Sequence, residues 1–432
     1  MRCILVILYG IGDRGQGCFE GRTPLHAACT PNMDYLASIG MNGLYHSSWQ
    51  GIPMPSEIAH FLIFGYEIEN FPGRGIIEAI GEGIEVDDSD VAVLCHLCSV
   101  EERNNNLILR HGRPELHHAQ SLILKDEIKT FEEDGIQINL IHSRGIDGFL
   151  LLKGGVSGHI TDSDPIHEGR AVIEVMPIVQ KRMTDASRKT ASVLNRYLIW
   201  CHQKLSSHRI NKERMAANVL PVNALVTQRA GKKRRLAPFK EKWGLRGLSI
   251  SSGAIYWGLC HGLGIDTVKV RDTGSVEDDL KDRLRVAKDA RDYDFIHVHT
   301  KMPDEAGHTK NPWYKKEVIE AIDRAMSIAV NEIIPDTEVL LVVTADHSTA
   351  SSGSMIHTGE TVPLTMVGKY VRRDKVGEFN EISGAGGGLG IVRGKELMYL
   401  ILNFLDRAKL RGLMDTPVDQ PYYPGNYKPL KL

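Results

Sequence analysis

The chain has 432 residues, 42% hydrophobic and 25% charged, which excludes wholesale disorder and leaves apolar material for roughly two to three domains. The formal net charge of -2 implies no global pull toward nucleic acid or an anionic membrane. No segment reaches the roughly 18 apolar residues that a membrane-spanning helix needs.

The run Cys3 to Leu8 is continuously apolar and leads into Gly10 and Gly12. It is too short for a signal segment and reads as a strand buried on both faces, as in a parallel sheet. Next come Pro53-Met54-Pro55-Ser56, with Ile58, Ala59, Phe61 and Leu62 at helical spacing behind them. The prolines restrict the backbone before Ser56, and a serine at a helix start is ordinarily an N-cap.

From Asp90 to roughly Thr190 the pattern changes. Short apolar stretches (Ile136 to Ile141, Phe149 to Leu152) alternate with charged linkers, which predicts an inserted α+β cap. The expected partition is a core over 1–90 and 191–415, a cap over 91–190 and a tail over 416–432. The basic run Lys232 to Arg235 reads as a solvated loop, with an anion site as the alternative.

Leu248 to Ser251 and Thr267 to Val270 predict short strands around a helix over 255–263. Phe295 to His299 and Leu340 to Thr344 predict two more buried strands. Between these two, Val318, Ile319, Ile322, Met326, Ala329 and Val330 predict a helix over 315–334, so the order is a βαβ crossover. The tail is rich in Pro and Tyr without periodicity and is expected to wrap the surface. The fold class is α/β, a mostly parallel central sheet flanked by helices.

Seven cysteines are scattered, and Cys95-x-x-Cys98 has no second pair to complete a zinc site. Reduced, mostly buried thiols point to the cytoplasm.

In open α/β sheets ligands gather beyond the carboxyl ends of the strands. The polar clusters following the predicted strands are therefore expected to converge. Asp304-Glu305-Ala306-Gly307-His308 places a carboxylate and an imidazole four apart. Asp346-His347 ends another strand, and His357 follows ten residues later. Each taken alone is most simply a satisfied polar pair. Converging at one sheet edge, they form a mixed Asp/His set suited to Zn²⁺ or Mn²⁺. Ser56 at a helix N-terminus then gains a second reading, a nucleophile beside a cation.

These motifs resemble the archaeal-type 2,3-bisphosphoglycerate-independent phosphoglycerate mutases of the alkaline phosphatase superfamily. The likeness runs nearly end to end. It includes Gly12-Asp13-Arg14, Gly21-Arg22-Thr23-Pro24-Leu25, Gly73-Arg74-Gly75, Thr161-Asp162-Ser163-Asp164-Pro165, Gln228-Arg229-Ala230-Gly231, His299-Thr300-Lys301 and Gly386-Gly387-Gly388-Leu389-Gly390. The resemblance implies an alkaline-phosphatase-like core and a phosphoserine intermediate at Ser56. It implies one divalent metal at Asp304, His308 and His357. A second would be held by Asp346, His347, Ser56 and an aspartate on the first strand. The ions would be Mn, Zn, Mg or Co, with the alternative that only one is bound. Lys301, Arg229 and Arg74 would hold the charged oxygens of a small phosphorylated metabolite.

The first-strand aspartate opens an Asp-Gly-x-Gly-Asp motif in the family, and this chain reads Tyr9-Gly10-Ile11-Gly12-Asp13. Family arginines also fall at Leu94 and Asp147, and one is displaced from Gln228 to Arg229. Three readings follow. The chain is a mutase in which Tyr9 ligates as a phenolate, or in which Glu57 or Asp13 substitutes. It is a relative acting on another phosphorylated or phosphonate substrate, with water leakage making it a phosphatase. Or it is a pseudoenzyme with an impaired second metal site and a binding role. Six of seven metal-site positions persist, which favours the enzyme readings.

Overall fold

The computed structural model describes residues 1–178, 184–408, 410 and 430–432. Residues 416–429 of the expected tail lie outside them. The chain divides into two compact units, 1–71 with 236–432, and 72–235. The cap expected over 91–190 falls inside the second unit, which begins earlier and ends later.

The first unit is built on an eight-stranded sheet. Its order is Asp266–Lys269, Gly247–Ser251, Phe295–Thr300, Arg2–Leu8, Val339–Thr344, Val362–Val367, Met41–His46 and Gly390–Arg393. The first five run parallel, and Val362–Val367 is antiparallel to both its neighbours. Arg2–Leu8 sits centrally with every residue buried, as its unbroken apolar run requires. The βαβ crossover follows expectation. Phe295–Thr300 and Val339–Thr344 flank Arg2–Leu8, and the helix between them covers Pro312–Ile328 before a final wider turn over Ala329–Ile333. The helix starts earlier than periodicity alone suggests because Asn311 caps it, accepting from the Trp313 and Tyr314 amides, and Pro312 occupies the first turn.

One buried lysine ties this helix to the sheet edge. Lys315 Nζ donates to the Gly12 carbonyl at 2.8 Å, the Thr349 carbonyl at 2.6 Å and Asp13 Oδ2 at 3.0 Å. Burial pushes the lysine pKa down and the adjacent Asp13 carboxylate opposes it. The loops after two central strands are thus held to one another through a third element.

The second unit carries an antiparallel sheet in the order Asn106–His111, Val91–Arg103, Asp147–Lys153, Ile136–His142, Thr130–Glu133, with Ala224–Lys232 also paired to Val91–Arg103. Helix Asp185–Ser207 packs its apolar face on that sheet, and Thr184 starts it with a reciprocal capping box to Ser187. Helix Arg74–Gly81 and strand Ala224–Lys232 belong here because they pack together. A Cβ at Gly75 would lie 2.3 Å from the Ala92 carbonyl oxygen and 2.8 Å from that of Arg229. Cys95 and Cys98 serve two separate apolar clusters. In the basic run, Lys233 and Arg235 lie near Asp88 at 3.9 and 3.8 Å. Among the described residues no helix is long and apolar enough to cross a membrane.

Candidate functional site

The carboxyl ends of the central strands of the first unit do bring the predicted residues together. Asp304 and His308 lie one turn apart on helix Met302–His308, with His308 Nε2 at 3.2 Å from Asp304 Oδ2. His357 arrives from a loop, its Nε2 at 3.6 Å from Asp304 Oδ1. One atom from each of the three lies within 4.8 Å of the others. His357 Nδ1 donates to the Met54 carbonyl at 2.8 Å, which leaves its Nε2 lone pair facing the group. Burial would raise the Asp304 pKa, but the His308 hydrogen bond and the charges of His347 and His308 hold it well below the usual carboxylate range. This set has the donor chemistry of a divalent metal site.

The second group sits beside it. Ser56 Oγ is 2.8 Å from His347 Nε2, and that nitrogen is 3.1 Å from Asp346 Oδ2. Asp346 Oδ1 accepts from the amides of Gly10, at 3.1 Å, and His347, at 3.0 Å. Asp346 Oδ2 is buried without a hydrogen bond of good geometry among the described residues, which leaves a lone pair for a ligand. Burial opposes both charges. Asp346 is nonetheless held low by His347, and His347 is held high by Asp346 and Asp304. The rings of His347 and His357 stack at 3.8 Å, so the two groups touch.

Ser56 is the first residue of helix Ser56–Ile63, and the N-cap is Pro55, with no side-chain cap bond. The capping reading of this serine is therefore set aside, because its hydroxyl is engaged by His347. Gly10 is required where it stands. Its φ is +59°, and a Cβ there would lie 2.5 Å from Thr349 Oγ1 and 2.9 Å from Asp304 Oδ1. Thr349 Oγ1 in turn donates to Asp304 Oδ1 at 2.5 Å.

Tyr9 is 1% exposed. Its hydroxyl lies 3.1 Å from His60 Nδ1 and also bonds Tyr256. Burial, Tyr256 and Asp346 push its pKa well above the ordinary phenol value. The Tyr9 hydroxyl is turned to His60. Asp13 does not substitute for the missing carboxylate. Its oxygens take Lys315, the Ser351 amide, the Arg14 amide and Gln16 Nε2. Glu57 is buried on the first turn of the Ser56 helix.

Lys301 caps helix Met302–His308 and sits 5.4 Å from the centroid of the Tyr256 ring. Arg74 and Arg229 both lie in the second unit. Arg74 Nε bonds Glu78 Oε2 at 2.9 Å, and Arg229 takes a positive φ of 54° with its amide donating to Asp162. The three positions where family arginines were expected cluster in that unit. Leu94 pairs with Gln228 across the sheet, and His96, two residues on, pairs with Asp147.

Sequence reasoning missed His60, His297, His299 and Tyr256, which back the site. His297 and His299 stand at i and i+2 of one buried strand, hence on one face. That repeat of polar residues within an apolar run was the available signal. Burial keeps His60 down at about 4 and pushes His297 and His299 well below the ordinary histidine value.

Residues 1–404 match the model of the metalloenzyme superfamily. The chain is 41% identical over 424 residues to 2,3-bisphosphoglycerate-independent phosphoglycerate mutase 2 of Methanocaldococcus jannaschii, covering 96% of this chain and 95% of that one. It is 34% identical over 415 residues to mutase 1 of the same organism, covering 95% and 99%. Among solved structures, a Pyrococcus horikoshii protein superposes with TM-score 0.77 at 27% identity, covering 95% of this chain and 99% of that one. The cofactor-independent phosphoglycerate mutase of Thermoplasma acidophilum superposes with TM-score 0.63 at 29% identity, covering 94% and 99%.

Proposed function

The chain belongs to the metalloenzyme superfamily and, within it, to the 2,3-bisphosphoglycerate-independent phosphoglycerate mutases, and from that membership we propose a metal-dependent phosphomutase that interconverts 2- and 3-phosphoglycerate through a phosphorylated Ser56. The observation that carries the reading is Ser56 Oγ at 2.8 Å from His347, one ring away from the Asp304 group.

Asp304, His308 and His357 fit a divalent ion, with His357 Nε2 presented as a lone pair. Asp346 and His347, with Ser56, supply a second set that lacks one carboxylate and holds an orphaned Asp346 Oδ2. A bound Mn, Zn, Mg or Co ion would stabilise the charge on phosphoryl oxygens and acidify the serine hydroxyl. The first set, complete in its donors, would be the tighter, and full occupancy would be one ion or two according to how well the second compensates for Tyr9.

In the proposed reaction Ser56 Oγ attacks the substrate phosphorus. The Oγ–P bond forms, the P–O bond to the glycerate breaks, and the proton lost by Ser56 is balanced by the one gained on the departing glycerate oxygen. The phosphoryl group then returns to the other glycerate hydroxyl, restoring Ser56. Lys301 offers a cation at the same sheet edge. Roles for Arg74 and Arg229 on charged oxygens are proposed from their chemistry alone. The substrate is a small phosphorylated metabolite in the cytoplasm.

A second substrate reading is favoured by one observation. Leu94 and Gln228 pair where arginines were expected, and two uncharged side chains there give up bidentate holds on an anionic substrate. A relative working on a less charged phosphate or phosphonate ester would suit that patch.

The test is conversion of 3-phosphoglycerate followed by phosphorus NMR, with Mn²⁺ and with chelator, and mass-spectrometric trapping of phosphorylated Ser56. Turnover undiminished in Ser56→Ala would sink the mechanism. A labelled Ser56 with no phosphoglycerate conversion would select the other substrate class.

A further inference from the structure

Behind Tyr9 three fully buried imidazoles converge. His60, His297 and His299 each offer a ring nitrogen, and the three nitrogens lie within 4.8 Å of one another. In each ring one nitrogen is engaged and the other has no hydrogen-bond partner among the described residues, namely Nε2 of His60, Nε2 of His297 and Nδ1 of His299. Three rings that close together in one buried spot, each with an unpartnered nitrogen, call for an occupant.

The engaged nitrogens fix where the protons are. His60 Nδ1 is 3.1 Å from the Ser56 carbonyl, which only accepts, so Nδ1 carries the proton and Nε2 is a bare acceptor. Ser249 Oγ donates to Ser251 Oγ and therefore accepts from His297 Nδ1 at 3.0 Å, which leaves His297 Nε2 bare as well. His299 is reversed. Its Nε2 accepts the Ser252 amide at 2.9 Å, so the orphaned Nδ1 carries a proton. The spot thus presents two acceptors and one donor.

A divalent cation needs three lone pairs and meets an N–H at His299. An ammonium ion fails for the same reason. A water molecule matches, giving its two O–H bonds to His60 and His297 and accepting from His299. Partners at about 2.8 Å around a tetrahedral oxygen stand roughly 4.6 Å apart, which the observed spread accommodates.

We infer that His60, His297 and His299 form a closed binding site for one water, which fixes the His60 ring whose Nδ1–H also reaches the Tyr9 hydroxyl oxygen. The site is distinct in its residues from both candidate metal groups, and it holds whether or not the chain proves to be a mutase.

The experiment is a crystal structure of the full chain, grown with excess Mn²⁺ and refined to about 1.5 Å or better, where such networks are assignable. The expected result is a density peak at hydrogen-bond distance from all three orphaned nitrogens, without anomalous signal at the manganese or zinc edge. An anomalous peak there, or no density, overturns the inference. A second measurement needs no crystal. Ring ¹⁵N spectra should show all three histidines protonated at Nδ1, and the His299 signal should shift in His297→Leu as the water is lost. A His299 protonated at Nε2, or one unmoved by that substitution, also overturns it.

Discussion

The Tyr9 hydroxyl lies 3.1 Å from His60 Nδ1 and shares a second bond with Tyr256. Asp346 therefore faces Ser56 and His347 without a second acid. A phenol here fills the volume of a ligand position while giving its polarity to the layer beneath. The consequence for metal content is direct.

Tyr9→Asp is expected to raise tightly bound metal from one equivalent to two, counted by plasma mass spectrometry after dialysis. Mutase turnover should rise at least about tenfold, the effect of roughly 1.4 kcal/mol on the barrier. In the metal-free state the same variant should be less stable, because two carboxylates then share a buried site. Two equivalents already present in wild type would show that Ser56, Asp346 and His347 suffice. Activity appearing only in Tyr9→Asp would favour a pseudoenzyme.

His357→Ala removes the ring that presents its Nε2 to Asp304. Metal affinity at the first group should fall by more than about 100-fold, beyond the loss typical of an outer-shell change. Calorimetric titration with Mn²⁺ reads this directly. An unchanged isotherm would mean that Asp304, His308 and His357 do not share an ion.

Lys315→Met leaves Asp13 buried beside an apolar chain. The expected loss is about 3–5 kcal/mol, read by urea unfolding. Adding Asp13→Asn should recover part of that loss, since the uncompensated charge is gone. Equal stability of wild type and Lys315→Met would show that the pair contributes nothing.

The buried histidines set a pH limit. His60 is held down at about 4 and His297 well below its ordinary value, both under the unfolded value near 6.5. The unfolded chain therefore binds more protons, so stability is full above about pH 6.5 and falls as pH drops toward 4. Each such histidine contributes up to about 1.4 kcal/mol per pH unit in that window. Metal-free His297→Leu should lose less stability between pH 7 and pH 5 than wild type. Parallel profiles would contradict the assignment.

The sequence made the central sheet readable because strands buried on both faces leave no polar alternation to confuse. Cys3–Leu8 and Leu340–Thr344 declared themselves this way, and the residues after them were the ones that converged. The unit boundary was not readable. Arg74–Gly81 and Ala224–Lys232 carry ordinary helix and strand patterns, and nothing local says that they pack with residues 91–103. Tyr9 stood out as a departure, but the destination of its hydroxyl depended on His60, which reads in sequence as one more residue of an apolar helix. Ser56 was ambiguous between cap and nucleophile because both need the same helix end, and only the position of His347 separates them.

The flat contact between His347 and His357 has a consequence for how ions load. An ion held by His357 would also restrain the ring lying on it, so the second group would be partly ordered before any ion of its own. Loading should be sequential and positively cooperative, with the second step weakened when the first group is disabled. A deficit at Tyr9 would then be softened by its neighbour, and an incomplete ligand set could still be filled once the complete one is.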